Sequence, residues 1–540
     1  IRKLTGSPNI LFPVGEEGGR LRSVNEALFV GTIKAEFPSY FCKQCSKDTI
    51  YFVCETCESE CQKIYFCPEC KQKIPGEKCP EHSKGQSYIS KRIDIHHYFN
   101  SAVKKLNLLP DEIPKLIKGV KGTSNSEHDI ENLAKGLLRA LFNLQVNKDG
   151  TIRYDATELP ITHFKPLEIK TSVDKLIDMG YNKDIYGDEL KNEDQVLELM
   201  PHDLILPSCP ESDDEGADAV FMRIAHFIDL LLEKFYNLGR FYNIREKEEL
   251  IGQLVVCMAP HNCAGVIGRI IGFSMTQGLL ASPYMHAAMR RDADGDEAAV
   301  MLLMDVLLNF SRKFLPSHRG GTQDAPLVLN ARIRAGEVDE QILDFEMEKY
   351  PLELYELAEQ GKHSSEVRVE TVRQRLRLGK NPFTNIGFTH DCINFNSGVI
   401  NSSYKSLPTM KDKVAKQMEL VEKIRAVDEH DVARLIIERH FIRDIRGNLR
   451  KFSQQEFRCS KCNEKYRRPP LIGKCLKCSG NIIFTISEGS IVKYLEPALH
   501  LANSYNVPAY VKQSLELTKS YIESIFGKEN EKQEALGKWV

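Results

Sequence analysis

Eleven of the 16 cysteines stand in Cys-x-x-Cys or Cys-x-x-His pairs, and no other feature of this sequence constrains its fold so tightly. Two residues between ligands let both side chains of a tight turn reach one tetrahedral ion, and two such turns close a four-ligand site. Cys42/Cys45 and Cys54/Cys57 are separated by eight residues, as are Cys67/Cys70 and Cys79/His82. Sequential pairing makes one all-cysteine site and one of three cysteines and a histidine. An interleaved pairing also satisfies the spacing, and Cys61 stands where it could substitute for a neighbour. A third set, Cys459-x2-Cys462-x12-Cys475-x2-Cys478, has the spacing of a zinc ribbon. About three structural Zn²⁺ ions are expected, in full sites that lack the open position of catalytic zinc. Paired knuckles in a large chain with no apolar signal core point to a reducing, cytoplasmic compartment rather than to a disulfide framework. The scattered thiols Cys61, Cys209, Cys257, Cys263 and Cys392 read as buried and inert.

The rest of the composition sets bounds. At 540 residues, 42% hydrophobic and 27% charged, the chain reads as a folded protein of several domains, and disordered and collagen-like classes are excluded. Helix-like runs such as Ile130 to Leu144 alternate with extended ones such as Thr151 to Tyr154, which makes the expected class mixed α+β. The longest apolar stretch, Ala298 to Leu308, is interrupted by Asp305 and is too short to span a membrane. Lys plus Arg (73) nearly cancels Asp plus Glu (75), so any basic surface must be local. One such cluster is Arg439, Arg443, Arg446, Arg450 and Lys451; it reads either as the lining of a duplex channel or as a solvated helix face salted with Glu438 and Asp444. Arg467 and Arg468, beside the ribbon, read either as contacts to a phosphate backbone or as a solvated basic edge. Val414, Met418, Val421 and Ile424 recur at helical spacing within 408–446, which reads as two helices, and a last helix is expected over 508–526. The acidic loop 208–217 reads as solvated, and Glu297 to Phe310 as an apolar helix.

The sharpest chemical feature is Arg290-Arg291-Asp292-Ala293-Asp294-Gly295-Asp296-Glu297. Three aspartates on alternate positions can face one way from a strand or tight loop, and they repel one another unless a cation neutralises them. A calcium loop of the EF-hand type fails, because its glycine position holds Glu297 and its terminal glutamate position holds Leu303. A plain acidic turn is the competing reading. The setting argues against it, since the triplet lies between a Gly-rich apolar segment, Ala264 to Gly272, and a second apolar run. Magnesium on an Asp triplet suits phosphoryl transfer.

The run from His286 through Glu297, continued by Ala299 to Ser311, resembles the catalytic segment of the archaeal family D DNA polymerase large subunit. The stretches Asp149 to Phe164, Arg319 to Val328, Arg425 to Ala433 and Gly447 to Cys459 resemble the same family, so the likeness covers nearly the whole chain. It implies a double-psi β-barrel catalytic core with zinc-binding modules and C-terminal helices. It further implies Mg²⁺ held by Asp294 and Asp296, with Asp292 where the family usually has asparagine. Arg290 and Arg291 are then candidates for phosphate contact, with a solvated surface pair as the rival reading, and Lys3 for an active-centre lysine of a neighbouring barrel. His261 is a weaker site candidate that reads first as a hydrogen-bonded core histidine. Most of the family's N-terminal half is missing, so the chain reads as a C-terminal portion holding the metal-binding barrel.

The organisation expected on this basis is as follows: residues 1–35 end an upstream core segment, 36–90 form a double zinc module, and 91–249 an α+β region. The catalytic barrel occupies 250–400, helices 401–456, the ribbon 457–485, further helices 486–527, and a tail 528–540. In that tail Gln533, Leu536, Trp539 and Val540 resemble a sliding-clamp-binding box, whose apolar anchors would enter a groove as one helical turn. The expected partners are primer-template DNA, deoxynucleotides, the clamp, the missing N-terminal half and a small subunit carrying a 3′–5′ exonuclease. The expected function is nucleotidyl transfer to a DNA 3′ end. An RNA polymerase subunit and a non-catalytic, zinc-stabilised scaffold for DNA and clamp are the rival readings.

Overall fold

The computed structural model describes residues 7–15, 22–82, 84–123, 125–260, 262, 264–292, 294–315, 327–334, 340–347, 350–367, 369–384, 392–402, 406–424, 427–460, 462, 464–484 and 486–526. Lys3, His261, Cys263 and the box Gln533, Leu536, Trp539, Val540 lie outside them. The chain divides into two units, Ile1–Met347 with Thr371–Ile386 and His390–Ile400, and Glu348–Glu370 with Gly387–Thr389 and Asn401–Val540.

In the first unit, strands Thr32–Pro38 and Tyr88–Asp94 pair antiparallel, with Ile33 opposite Ile93 and Phe37 opposite Ile89. They bracket the double zinc module, so the cysteine-dense block is an insertion between two paired strands. Asp94 then caps helix Ile95–Leu106 by accepting the His96 N–H, and Asn132 does the same for helix Leu133–Leu141.

The centre of this unit is a closed barrel. We label its strands β1 (Tyr154–Pro160), β2 (Asp203–Pro207), β3 (Leu254–Met258), β4 (Ala264–Ser274), β5 (Leu279–Ala281) and β6 (Glu297–Leu302), with β7 (Val328–Asn330) added outside β4. The order β2-β5-β1-β6-β3-β4 closes through a parallel β2–β4 pairing. The β5–β1 pair is also parallel, and the remaining ring pairs are antiparallel. The barrel therefore begins well upstream of the 250–400 span expected for it, because its first two strands are distant in sequence and join only by pairing. The expected helix from Glu297 to Phe310 is corrected too: Glu297–Leu302 is a strand and only Leu303–Asn309 is helical. Ala298, Val300 and Leu302 pack into one large core, while Ala299 and Met301 pack with Val256 and Met258 into another. A strand buried on both faces loses its alternation and reads as one apolar run. The glycines of β4 serve close packing: a Cβ on Gly272 would lie 2.7 Å from the Ile169 carbonyl oxygen.

The acidic loop is less solvated than expected. Cys209 is buried, the Glu215 carbonyl accepts the Tyr154 hydroxyl, and the Glu215 carboxylate pairs with Arg223. Cys61 and Cys257 are buried as read, whereas Cys392 is exposed.

The second unit is helical around a ribbon. Helix Met410–Lys423 and a long helix formed by Glu429–Leu435, a π-turn Ile436–Phe441 and Ile442–Gln454 pack with Leu495–Ser504 and Ala509–Phe526. Val414 and Met418 are buried and Val421 is partly so, but Ile424 falls just past the helix end and is 41% exposed. The ribbon comprises the short strands Phe457–Cys459, Lys465–Tyr466 and Ile482–Ile483. Among the described residues no helix is long and apolar enough to cross a membrane.

Candidate functional site

The zinc knuckles are built locally. Each hairpin brings a Cys-x-x-Cys pair to its turn, and Ser46, Glu58, Lys71 and Ser479 take positive φ (54–59°) as the chain reverses just past the second cysteine. The ligand atoms converge in three tetrads, Cys42/Cys45/Cys54/Cys57, Cys67/Cys70/Cys79/His82 and Cys459/Cys462/Cys475/Cys478, each within 4.8 Å. The pairing is thus sequential. Cys42 and Cys57 sulfurs are 3.4 Å apart, Cys70 and Cys79 3.9 Å, and Cys462 and Cys475 3.5 Å, close to the roughly 3.8 Å edge that Zn–S bonds of about 2.3 Å give a tetrahedron. Backbone N–H groups of Cys45, Thr56 and Lys477 donate to the sulfurs of Cys42, Cys54 and Cys475, which favours thiolates. Hydrogen bonds from Ser59 push the Cys57 thiol down to about 6. Cys61 is buried beside the first tetrad but outside it, its thiol pointing to the Ser59 carbonyl and pushed up to about 12 by burial. Arg467 and Arg468 are exposed.

The carboxylates are gathered differently. Ser282 caps helix Pro283–Ala288, Arg290 reverses the chain at φ 63°, and Gly295 at φ 102° turns it into β6. Only a residue without Cβ takes the second turn without strain. The three aspartates of this loop meet a fourth acid, Glu158 of β1, with carboxylate oxygens of Glu158, Asp292, Asp294 and Asp296 all within 4.8 Å of one another. The Glu158 N–H donates to the Asp296 carbonyl at 2.9 Å, stitching strand to loop. Glu158 is 1% exposed. Its Oε2 lies 3.5 Å from Nδ1 of His286, itself fully buried and pushed down to about 4 by burial, so the imidazole is neutral. The Asp292 charge, followed by desolvation and the Asp296 charge, holds the Asp294 carboxyl above its ordinary range. A cation relieves that repulsion, and four hard oxygens suit Mg²⁺ rather than zinc. Arg291 is already engaged, its guanidinium 2.9 Å from an Asp296 oxygen; Arg290 is exposed.

Glu158 is the residue that sequence reasoning missed. Alternation along β1 puts it on the same face as the buried Tyr154 and Ala156, and an acid at a buried position is the one signal that pointed to it.

Comparison with known proteins places this geometry in context. The profile of the DNA polymerase II large subunit DP2, catalytic domain, matches residues 111–413, and that of its central domain matches 1–76. Residues 453–510 match the zinc finger domain of DNA polymerase-epsilon. The DNA polymerase II large subunit of Archaeoglobus fulgidus is 46% identical over 551 residues, covering 100% of this chain and 47% of the relative. That of Nanoarchaeum equitans is 45% identical over 98% of this chain and 46% of its own length, and that of Pyrococcus furiosus 44% over 97% and 42%. The chain thus spans about half the length of the curated relatives it matches.

Proposed function

This chain belongs to the family of the DNA polymerase II large subunit, and from that premise we propose that its barrel carries the metal centre for template-directed nucleotidyl transfer to a DNA 3′ hydroxyl. The observation that carries the reading is the meeting of Glu158 with Asp292, Asp294 and Asp296 inside the matched catalytic domain. These four would hold Mg²⁺, and the chemistry supplied there would be a lowered pKa of the attacking hydroxyl and an offset of charge on the departing pyrophosphate. The chain's own part is positional. The β1–loop hydrogen bond fixes the carboxylates relative to one another, and burial of Glu158 keeps one wall of the centre dry. Arg291 holds Asp296 by an ion pair, and the exposed Arg290 is the candidate for phosphate. Asp292, in place of the family's usual asparagine, supplies an oxygen ligand with an added negative charge.

The closed six-stranded ring, with its mixture of parallel and antiparallel pairs, supports a double-psi assignment for the barrel. The three tetrads fit zinc by ligand type and spacing, as structural supports of the loops around them. The complete enzyme in this reading adds the N-terminal half with its second barrel, a small subunit with the 3′–5′ exonuclease, and a sliding clamp taken by the C-terminal box.

Primer extension tests the proposal, using this chain, the N-terminal half and the small subunit with Mg²⁺ and deoxynucleotides. Extension that disappears in Asp294→Ala/Asp296→Ala establishes the centre. Extension that survives the double substitution places the chemistry elsewhere. An inactive wild-type assembly that still binds DNA and clamp makes the scaffold the better reading.

A further inference from the structure

The arginine cluster whose two readings the sequence left open is resolved by where its neighbouring acids point. Arg439, Arg443, Arg446 and Arg450 follow one another at four-, three- and four-residue steps along the helix formed by Glu429–Leu435, Ile436–Phe441 and Ile442–Gln454. At 3.6 residues per turn these steps confine the four to an arc of about 60°. All four are exposed, and the buried side of the helix is formed by Ile437, Phe441, Ile445 and Leu449.

The solvated-face reading set Glu438 and Asp444 among these charges. Glu438 instead accepts from Arg434 at 3.0 Å, and Asp444 lies 3.2 Å from the His440 ring. Among the described residues no carboxylate lies within ion-pair distance of any of the four arginines; a neutral contact, Arg446 to the Ser514 hydroxyl at 3.0 Å, belongs to the stripe. Like charges three and four residues apart on a helix destabilise it. The arrangement is therefore one that a polyanion would complete. Guanidinium groups meet phosphate oxygens with a planar two-pronged donor set. The stripe runs about 16 Å along the helix, a length over which one strand of a duplex passes roughly five phosphates.

We propose that Arg439, Arg443, Arg446 and Arg450 form a contact surface for the phosphate backbone of duplex DNA. The inference rests on the reading of this chain as a DNA polymerase subunit, and adds a binding surface in the second unit to the metal centre in the first.

The test is fluorescence anisotropy of the full chain with a labelled duplex and, separately, a single strand of equal length, from 50 to 300 mM salt without divalent ions. Removing one arginine–phosphate pair lowers the slope of log affinity against log salt by about 0.9. The triple variant Arg439→Gln/Arg443→Gln/Arg450→Gln should therefore lose about 2–3 in slope and on the order of 100-fold in duplex affinity at 100 mM salt. Arg434→Gln, which removes the same charge from an ion-paired position on the same helix, should leave the slope unchanged. Circular dichroism reports whether the triple variant is folded, and the single Arg443→Glu variant, at an exposed position, keeps the test available if it is not. An unchanged slope in a folded variant overturns the proposal while leaving the polymerase reading intact. A fall in slope seen with the single strand alone overturns the duplex as occupant. A wild-type chain without salt-dependent DNA binding overturns the stripe and counts against the DNA reading itself.

Discussion

Replacing Glu158 by glutamine keeps the shape of the side chain and removes one charge from the carboxylate cluster. Four oxygens no more than 4.8 Å apart place each about 3 Å or less from their common centre, and a unit charge that far from a divalent cation contributes about 3 kcal/mol even at the dielectric constant of water. That corresponds to roughly a 100-fold loss of affinity, since each 1.4 kcal/mol is about tenfold. Calorimetric titration of the full chain with Mn²⁺, and with Mg²⁺ as competitor, measures it directly and needs no catalysis. Glu297→Gln is the control, because Glu297 is exposed at the start of β6 and outside the cluster; its loss should be a few-fold at most, as water screens it. The melting temperatures of both variants should stay close to wild type. If Glu158→Gln weakens Mn²⁺ no more than Glu297→Gln does, while Asp294→Ala abolishes binding, Glu158 is a buried neighbour of the metal centre and no ligand to it.

Three further outcomes follow from the packing. Elemental analysis should find three zinc ions per chain, two in Cys42→Ser and still three in Cys61→Ser, because Cys61 lies beside its tetrad and not in it. Arg139 is fully buried, pairs with Glu131 at 2.7 Å and donates to the Gly150 carbonyl. Arg139→Met should therefore cost about 3–5 kcal/mol in urea denaturation by leaving the Glu131 charge buried alone. Burial pushes the Asp305 carboxyl up to about 6. Its native pKa exceeds the unfolded value of about 3.9, so the protonated form favours the fold below about pH 4 and that contribution is lost as pH rises to about 6, a span of about 3 kcal/mol. In Asp305→Asn that component should vanish, so the stability difference between wild type and variant should shift against wild type between pH 4 and 7. A difference that stays constant with pH refutes the assignment.

Where the sequence was legible, the relevant geometry was local. Two residues between cysteines specify a turn wherever the hairpin sits, and the three tetrads formed with the pairing that sequential spacing offered. The aspartates of the Asp292–Asp296 loop share one turn, so their convergence needed only Gly295 and a few bonds. Where it misled, the cause was burial. The run from Glu297 to Leu302 lies between two cores, and a strand covered on both faces carries no period to tell it from a helix. Cys392 was read as buried from its residue type alone, and its exposure is a matter of position in the fold.

By itself, then, the sequence determined the zinc knuckles, the acidic loop, the family, and the amphipathic helices of the second unit. The tertiary structure alone decided that β1 and β2 complete the barrel, that Glu158 arrives beside Asp296, and that Glu438 and Asp444 turn away from the arginines. Each of these depends on strand register, or on which of several nearby cations an acid reaches. Both are settled by long-range pairing and side-chain packing, to which spacing along the chain makes no reference.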